Sequence, residues 1–295
     1  MTGMDEDFTA HIATGLTTLC RCWAITRRDG VVLGFTDHDV MLDFEGVTFK
    51  ADSGLSALAL QQSTGLSVDN SEAVGALSDA SVRPEDIDAG RFDGAEVRAW
   101  LVNWADVKVR WLQFRGSIGE LRRVGGAFHA ELRGLTENLN RPLGRIYQKP
   151  CTAVLGDSSC RFTLDTPGYR EERAVETVVE ARTFVWSDMP EFEPGWFQRG
   201  RLTVLTGAAQ GLWGMIKQDR SIANERRLEL WEPIRAAIGH GDIVRLDAGC
   251  DKRMETCRLK FNNILNFQGF PDLPAEDWVM AVPKQSQRNS GGSRR

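Results

Sequence analysis

The feature that most constrains this chain is a series of short runs in which apolar and polar residues alternate, separated by turns rich in glycine, proline and aspartate. An alternation with a period of two is typical of half-buried strands. The predicted strands cover residues 20–27, 31–35, 43–50, 96–104, 107–116, 118–123 and 128–135 in the first half, and 174–186, 202–206, 212–218, 227–231 and 243–246 in the second. Short strands at this spacing favour barrels or sandwiches over βαβ units.

Helices form a minor part of the prediction. Residues 4–19 place Phe8, Ile12 and Leu16 one helical turn apart, which predicts an N-terminal amphipathic helix. Further short helices are predicted at 83–89, 137–143 and within 251–267. The expected fold class is therefore mainly β with minor α, built from two barrel-like or sandwich-like domains.

The length of 295 residues allows two domains. We expect an N-terminal β-rich domain at 1–148, and a smaller C-terminal β domain at 149–283 that is closed by a cysteine site. The polar, basic segment 284–295 is expected to be a disordered tail.

Composition narrows the functional classes. A formal net charge of -5 gives no global positive field to hold nucleic acid. The first residues do not resemble a signal peptide, and no apolar run approaches the roughly 20 residues that span a bilayer. We therefore expect no membrane anchor and assembly in a cytoplasm, where disulfides are rare. The nine Trp residues suit a β core or a subunit interface.

Four of the six cysteines form two pairs that bracket the second β domain. These are Cys151 with Cys160, and Cys250 with Cys257, each pair separated by polar residues. Converging loops of this kind are typical of a four-thiolate metal site, and joining them would remove loop entropy worth roughly 4–5 kcal/mol in the crosslink model. Free thiols and disulfides remain alternatives, and the spacing does not choose between zinc and iron–sulfur.

The other two cysteines and the histidine motif give no indication of a catalytic site. Cys20 and Cys22 alternate on a predicted strand, so both face one side and are interpreted as core thiols. Asp37, His38 and Asp39 are interpreted as a turn or surface network, because on a strand the two carboxylates would point away from the histidine. No nucleophile-elbow, zinc-protease or phosphate-loop motif is present. A cell-wall hydrolase or peptidase is the alternative hypothesis to a structural protein.

Several segments resemble a known family. They are GCDKRMETC at 249–257, KFNNILNFQGFP at 260–271, LGDSSC at 155–160, GFTDHD at 34–39, and the stretch 63–75. They are similar to a phage and prophage family that includes the tail baseplate hub protein of gene-transfer-agent particles. The likeness covers about residues 5–283.

That resemblance implies a structural, non-enzymatic hub in the virion tail baseplate, similar in role to the minor tail protein L of lambdoid phages. The implied hub is a homotrimer that joins a distal tail ring to a larger central fibre or spike protein and lines a channel through which DNA passes. The implied cofactor is a [4Fe–4S] cluster on Cys151, Cys160, Cys250 and Cys257. A zinc ion on the same four residues is the alternative.

The cluster motif also contains residues that could support such a site. Positive charges at Lys252, Arg253 and Arg258 would offset thiolate charge, or they are ordinary solvated helix charges. The aromatic residues Phe261, Phe267 and Phe270 are hypothesised to pack over the cluster, although ordinary core packing explains them as well.

Overall fold

The computed structural model describes residues 5–51, 55–56, 70–76, 82–124, 127–134, 144–187, 189–222 and 225–273. The fold is mainly β with short helices, which confirms the predicted fold class. The chain forms two compact units, residues 1–143 and 144–295. Within the described residues, no helix is long and apolar enough to cross a membrane. The predicted helix at 137–143 and the predicted tail at 284–295 lie outside the described residues.

The first unit is organised around one sheet. Its strands are β1 (Leu19–Thr26), β2 (Val32–Thr36), β3 (Leu42–Phe44), β4 (Val47–Lys50), β5 (Leu55–Ser56), β6 (Asn70–Ala76), β7 (Glu96–Asn103), β8 (Arg110–Val124) and β9 (Ala127–Gly134). Among the described residues the order is β3-β4-β2-β1-β7-β8-β9-β6-β5. The pair β2 and β4 is parallel and the other pairs are antiparallel.

Alternating side chains of these strands form the core of the first unit. The rings of Phe44 and Phe49 stack with centroids 4.2 Å apart, and Trp100 meets both edge-on. Cys22 is fully buried and Cys20 nearly so, in the same apolar cluster. The interpretation of these two cysteines as core thiols is confirmed.

The second unit is also built on a sheet. Its strands are β10 (Arg170–Ala174), β11 (Thr177–Val179), β12 (Thr183–Ser187), β13 (Arg201–Val204), β14 (Trp213–Ile222), β15 (Glu225–Leu230) and β16 (Ile243–Asp247). The described strands run in the order β10-β16-β13-β14-β15-β12-β11, and all their pairings are antiparallel. One face packs into a core that includes Phe184, Trp186, Leu202 and Leu246.

A buried ion pair fixes part of this core. Arg226 donates from Nη2 to Asp219 at 2.7 Å, and both side chains are almost fully buried. The same guanidinium donates to the carbonyls of Phe192 and Glu193. These bonds satisfy a charge that would be costly to bury alone, and they tie the loop before β13 to the sheet.

The helices are short. In the part of the chain that the structure describes they are α1 (Glu6–Ala13), α2 (Pro84–Asp88), α3 (Met254–Leu259) and a 3₁₀ turn at Ile264–Asn266. The predicted N-terminal helix was too long, because the chain turns at Gly15, whose φ is +72°, and Leu16 is exposed. The helices predicted at 83–89 and within 251–267 are confirmed.

Three strand predictions were wrong. The run 43–50 is divided between β3 and β4 by a turn at Glu45 and Gly46, both at positive φ. The runs 107–116 and 118–123 are one strand, β8, in which an irregular register between Ile118 and Leu121 absorbs the break in alternation. The run 174–186 is divided among three strands. Glu180 and Ala181 adopt positive φ there, and they make the tight turn between β11 and β12.

The histidine motif forms a turn, as predicted. Asp37 accepts a hydrogen bond from the backbone N–H of Arg21, while the ring of His38 contacts the backbone of Val40 and packs on Trp104. The motif caps the ends of strands and presents no nucleophile beside the histidine within the described residues.

Candidate metal centre

The second unit brings four cysteines around one enclosed cavity. Cys151, Cys160, Cys250 and Cys257 all line it, each half-buried. None lies in a strand: the first pair is carried by an irregular loop, and the second brackets the N-terminus of α3. The backbone N–H of Cys151 donates to the carbonyl of Lys252 at 2.8 Å, which fixes the two loops side by side.

The loop of the first pair is shaped by Asp157. Its carboxylate accepts backbone N–H bonds from Val154, Ser159 and Cys160 at 2.8, 2.9 and 2.6 Å. These bonds, with that of Cys160 the largest contribution, lower the pKa of Asp157. Gly156 precedes it at a φ of +84°, a conformation that glycine adopts without strain. The loop therefore holds Cys160 in place without regular secondary structure.

The loop of the second pair is held by a close backbone approach. A Cβ on Gly249 would lie 1.7 Å from the carbonyl oxygen of Gln198, so only glycine fits at this position. The ammonium of Lys260 donates to the carbonyl of Gly249 at 2.9 Å and to that of Trp196 at 2.6 Å. Burial lowers the pKa of Lys260 to about 8. These contacts place Cys250 at the cavity.

Asn263 joins the two cysteine pairs. Its side-chain amide donates to the carbonyl of Cys160 at 2.7 Å and lies 3.5 Å from the Cys160 sulfur. Its backbone N–H donates to the carbonyl of Cys257 at 3.0 Å. Asn266 donates to the Asn263 side-chain oxygen at 2.7 Å and so fixes the orientation of the amide. One residue therefore contacts both loops.

Three of the four sulfurs accept an N–H. Besides Asn263 at Cys160, the backbone N–H of Gln268 lies 3.4 Å from the Cys151 sulfur, and the backbone N–H of Lys252 donates to Cys250. The fourth sulfur, that of Cys257, instead lies 3.3 Å from the carbonyl oxygen of Asn263, in a thiol-donor geometry. Donors aimed at sulfur favour the thiolate, the form that binds metal.

The supporting residues divide into those at the cavity and those away from it. Lys252, Arg253, Phe261 and Phe267 line the cavity, and Lys252 also donates to the carbonyl of Ala153. Phe270 instead packs on Tyr147 with ring centroids 4.7 Å apart, and under the guanidinium of Arg145. Arg258 is exposed. Neither Phe270 nor Arg258 is among the residues that line the cavity, so the structure does not support a role for them at the cluster.

The electrostatics of the cavity disfavour four bare thiolates. Burial, and then repulsion from the other three cysteines, raises the pKa of Cys257 to about 11. Burial also raises the pKa of Cys250. A bound cationic centre would reverse this preference, because metal binding deprotonates its thiol ligands.

The arrangement of the four cysteines also bears on which metal they would bind. Among the described residues, no three His, Cys, Asp or Glu side chains form a group that could hold one metal ion. A tetrahedral zinc site needs all four sulfurs about 2.3 Å from one ion. In an iron–sulfur cube each thiolate binds a different iron, so the sulfurs stand farther apart. The four thiols line one cavity without forming such a group, and iron, sulfide and zinc content distinguishes the two kinds of site.

Two contributors to the site escaped the sequence analysis. Asp157 bonds to backbone groups two and three residues away, whereas Lys260 bonds to carbonyls that lie nearby only in the folded chain. For Asp157 a local signal exists, since aspartate followed by serines is typical of a turn closed by its own side chain. For Lys260, whose partners are 11 and 64 residues away, the sequence carries no such signal.

Two family models and a solved structure match this chain. The model of a family described as baseplate hub protein, N-terminal attachment domain, matches residues 5–163. A second model, described as a phage conserved hypothetical protein, matches residues 195–277. The first match covers more than half of the chain, so the protein belongs to the baseplate hub family. Each match contains one of the two cysteine pairs.

A solved structure extends the likeness to the whole chain. It is titled virion of native gene transfer agent (GTA) particle, and the matching chain is 53% identical, with a TM-score of 0.91. The match covers 98% of this chain and 99% of that one. No curated protein matches the chain.

Proposed function

We propose that this protein is the structural hub of a gene-transfer-agent tail baseplate, with a [4Fe–4S] cluster on Cys151, Cys160, Cys250 and Cys257. The observation that carries the cluster is the convergence of these four thiols on one cavity, with N–H groups aimed at three sulfurs. The family membership and the 53% identical chain from a gene transfer agent virion support the hub.

The cluster would act as a crosslink. The residues that line the cavity lie outside the described strands, and Asn263, Asp157 and Lys260 hold their loops through a few side-chain hydrogen bonds. A cluster bound by all four cysteines would join residues about a hundred positions apart and stabilise loops that cannot form a core of their own. We assign it a structural role.

In the assembled tail, the hub would be a homotrimer between a distal tail ring and a larger central fibre or spike protein, around a channel that DNA traverses. A closed ring requires each subunit to present two different complementary surfaces. The net charge of -5 suits a channel wall to which DNA does not adhere. The proposed role involves no catalysis.

The hub proposal is tested with particles made by cells that lack this protein. We expect filled heads whose tails end without a complete tip, visible by electron microscopy, and restoration by the wild-type gene. A matched complementation with a Cys250→Ala variant would give few complete tips, whereas Cys20→Ala would restore them. Complete tips in the absence of the protein would refute the proposal.

A further inference from the structure

An exposed apolar centre lies on the outer face of the sheet in the second unit. Trp213 and Met215 are two residues apart on β14, so their side chains share one face. The backbone N–H of Trp231, just after β15, donates to the carbonyl of Met215 at 3.0 Å. Trp213 is 56%, Met215 42% and Trp231 61% exposed. Tryptophan and methionine are enriched at protein interfaces, and exposing them contributes nothing to the core.

The border of this centre is net positive. Four cations share three carboxylates there: Arg170 and Arg201 bind Asp247, Arg170 also binds Asp165, and Arg182 and Lys217 bind Glu229. Arg201 stands opposite Met215 in the strand ladder, and the Lys217 ammonium lies 5.8 Å from the Trp231 ring centroid. Asp247 is only 4% exposed while Arg201 is 46% exposed. An approaching surface therefore meets the cations first.

A second feature of the same sheet favours an acidic partner. Arg220 on β14 stands directly opposite Arg227 on β15, and both are exposed; Glu225 lies 3.7 Å from Arg227 and offsets only part of this positive charge. Like charges directly opposite each other destabilise a strand pair. Carboxylates supplied from outside would remove this repulsion.

We propose that Trp213, Met215 and Trp231, with the cations around them, form the docking surface for another protein of the baseplate. The partner presents an apolar centre surrounded by carboxylates. Two copies of this face cannot pair with each other, because cations would oppose cations. DNA offers phosphates but no apolar surface to cover the two indole rings and the thioether. This inference rests on the proposed hub function.

The test uses assembled particles in which a benzophenone amino acid replaces Trp231, with the same replacement at Val179 as the control. Val179 is 53% exposed and lies on β11, the edge strand of the same sheet. After irradiation, we expect position 231, and not position 179, to crosslink to an acidic segment of a different tail protein. No crosslink at 231, or a crosslink to DNA or to a second copy of this chain, would overturn the docking surface. Absence of the chain from the particles would instead contradict the hub function.

A charge reversal provides an independent measurement. Arg201→Glu combined with Lys217→Glu should lower incorporation into particles about tenfold, because like charges would then face the carboxylates of the partner. The control is Lys108→Glu combined with Lys50→Glu, two exposed positions of the first unit. Circular dichroism establishes that both double variants fold. Equal incorporation of a folded reversal variant and the control would overturn the proposal.

Discussion

The two groups of cysteines in this protein differ in what surrounds their sulfurs. Cys20 and Cys22 lie on a strand in an apolar core, and their thiols donate to oxygen, at Val102 and Thr36. The cysteines of the cavity lie on loops, and three of their four sulfurs accept from N–H groups. A thiol that donates a hydrogen bond must keep its proton, whereas a sulfur that accepts hydrogen bonds is stabilised as the thiolate. The contrast separates the packing thiols from three of the four candidate ligands; the exception is Cys257, whose thiol donates to the carbonyl of Asn263.

The largest effect is expected from replacing a cavity cysteine. Any one of Cys151, Cys160, Cys250 or Cys257 changed to Ala should abolish most iron binding and lower the free energy of unfolding by several kcal/mol, because metal binding contributes to folding. Cys22→Ala in the first unit should cost about 1 kcal/mol and leave iron unchanged. Iron analysis and thermal denaturation measure both. Equal losses of iron and of unfolding free energy in the cavity and core variants would contradict the distinction between ligands and packing thiols.

A backbone change should be nearly as severe. Gly249→Ala would place a Cβ 1.7 Å from the Gln198 carbonyl, and the loop that carries Cys250 must move. We expect a loss of about 3 kcal/mol or more in unfolding free energy, together with reduced iron. Gly239→Ala is the matched control, since its nearest contact would be 3.7 Å away. Its expected change is within about 0.5 kcal/mol. Similar melting of the two variants would show that the loop is not fixed as described.

A smaller effect is expected from Asn263. Asn263→Ala removes the donor to Cys160 and the bridge between the loops, while the cysteines themselves stay. Loss of such a supporting residue typically weakens metal binding about 10–100-fold. Iron release to a chelator measures this directly. Leu265→Ala, at a 96% exposed position in the same 3₁₀ turn, serves as the control. Matching release rates in the two variants would exclude a bridging role.

The sequence predicts the strands well where alternation is clean, as in β13 and β15, since burial of one face imposes a period of two. It fails where a bulge lets one strand continue, as in β8, or where non-glycine residues make a tight turn, as at Glu180.

For the site, the sequence identifies the four cysteines because they stand in polar loops. It does not identify the contacts of Asn263 and Lys260, because these depend on which backbone groups the fold brings near them, and no spacing rule encodes that. The buried pair of Arg226 and Asp219 is missed for the same reason. The turn closed by Asp157 is local, and aspartate followed by serines is a signal for it.

The most direct test of the cluster is the visible absorption spectrum with iron, sulfide and zinc analysis on anaerobically purified protein. Our account predicts a brown protein with about four irons and four sulfides per chain, and the same content in a variant that lacks Cys20 and Cys22. A colourless protein with about one zinc would contradict the cluster but keep the four-cysteine site. Protein with neither metal would contradict the site itself.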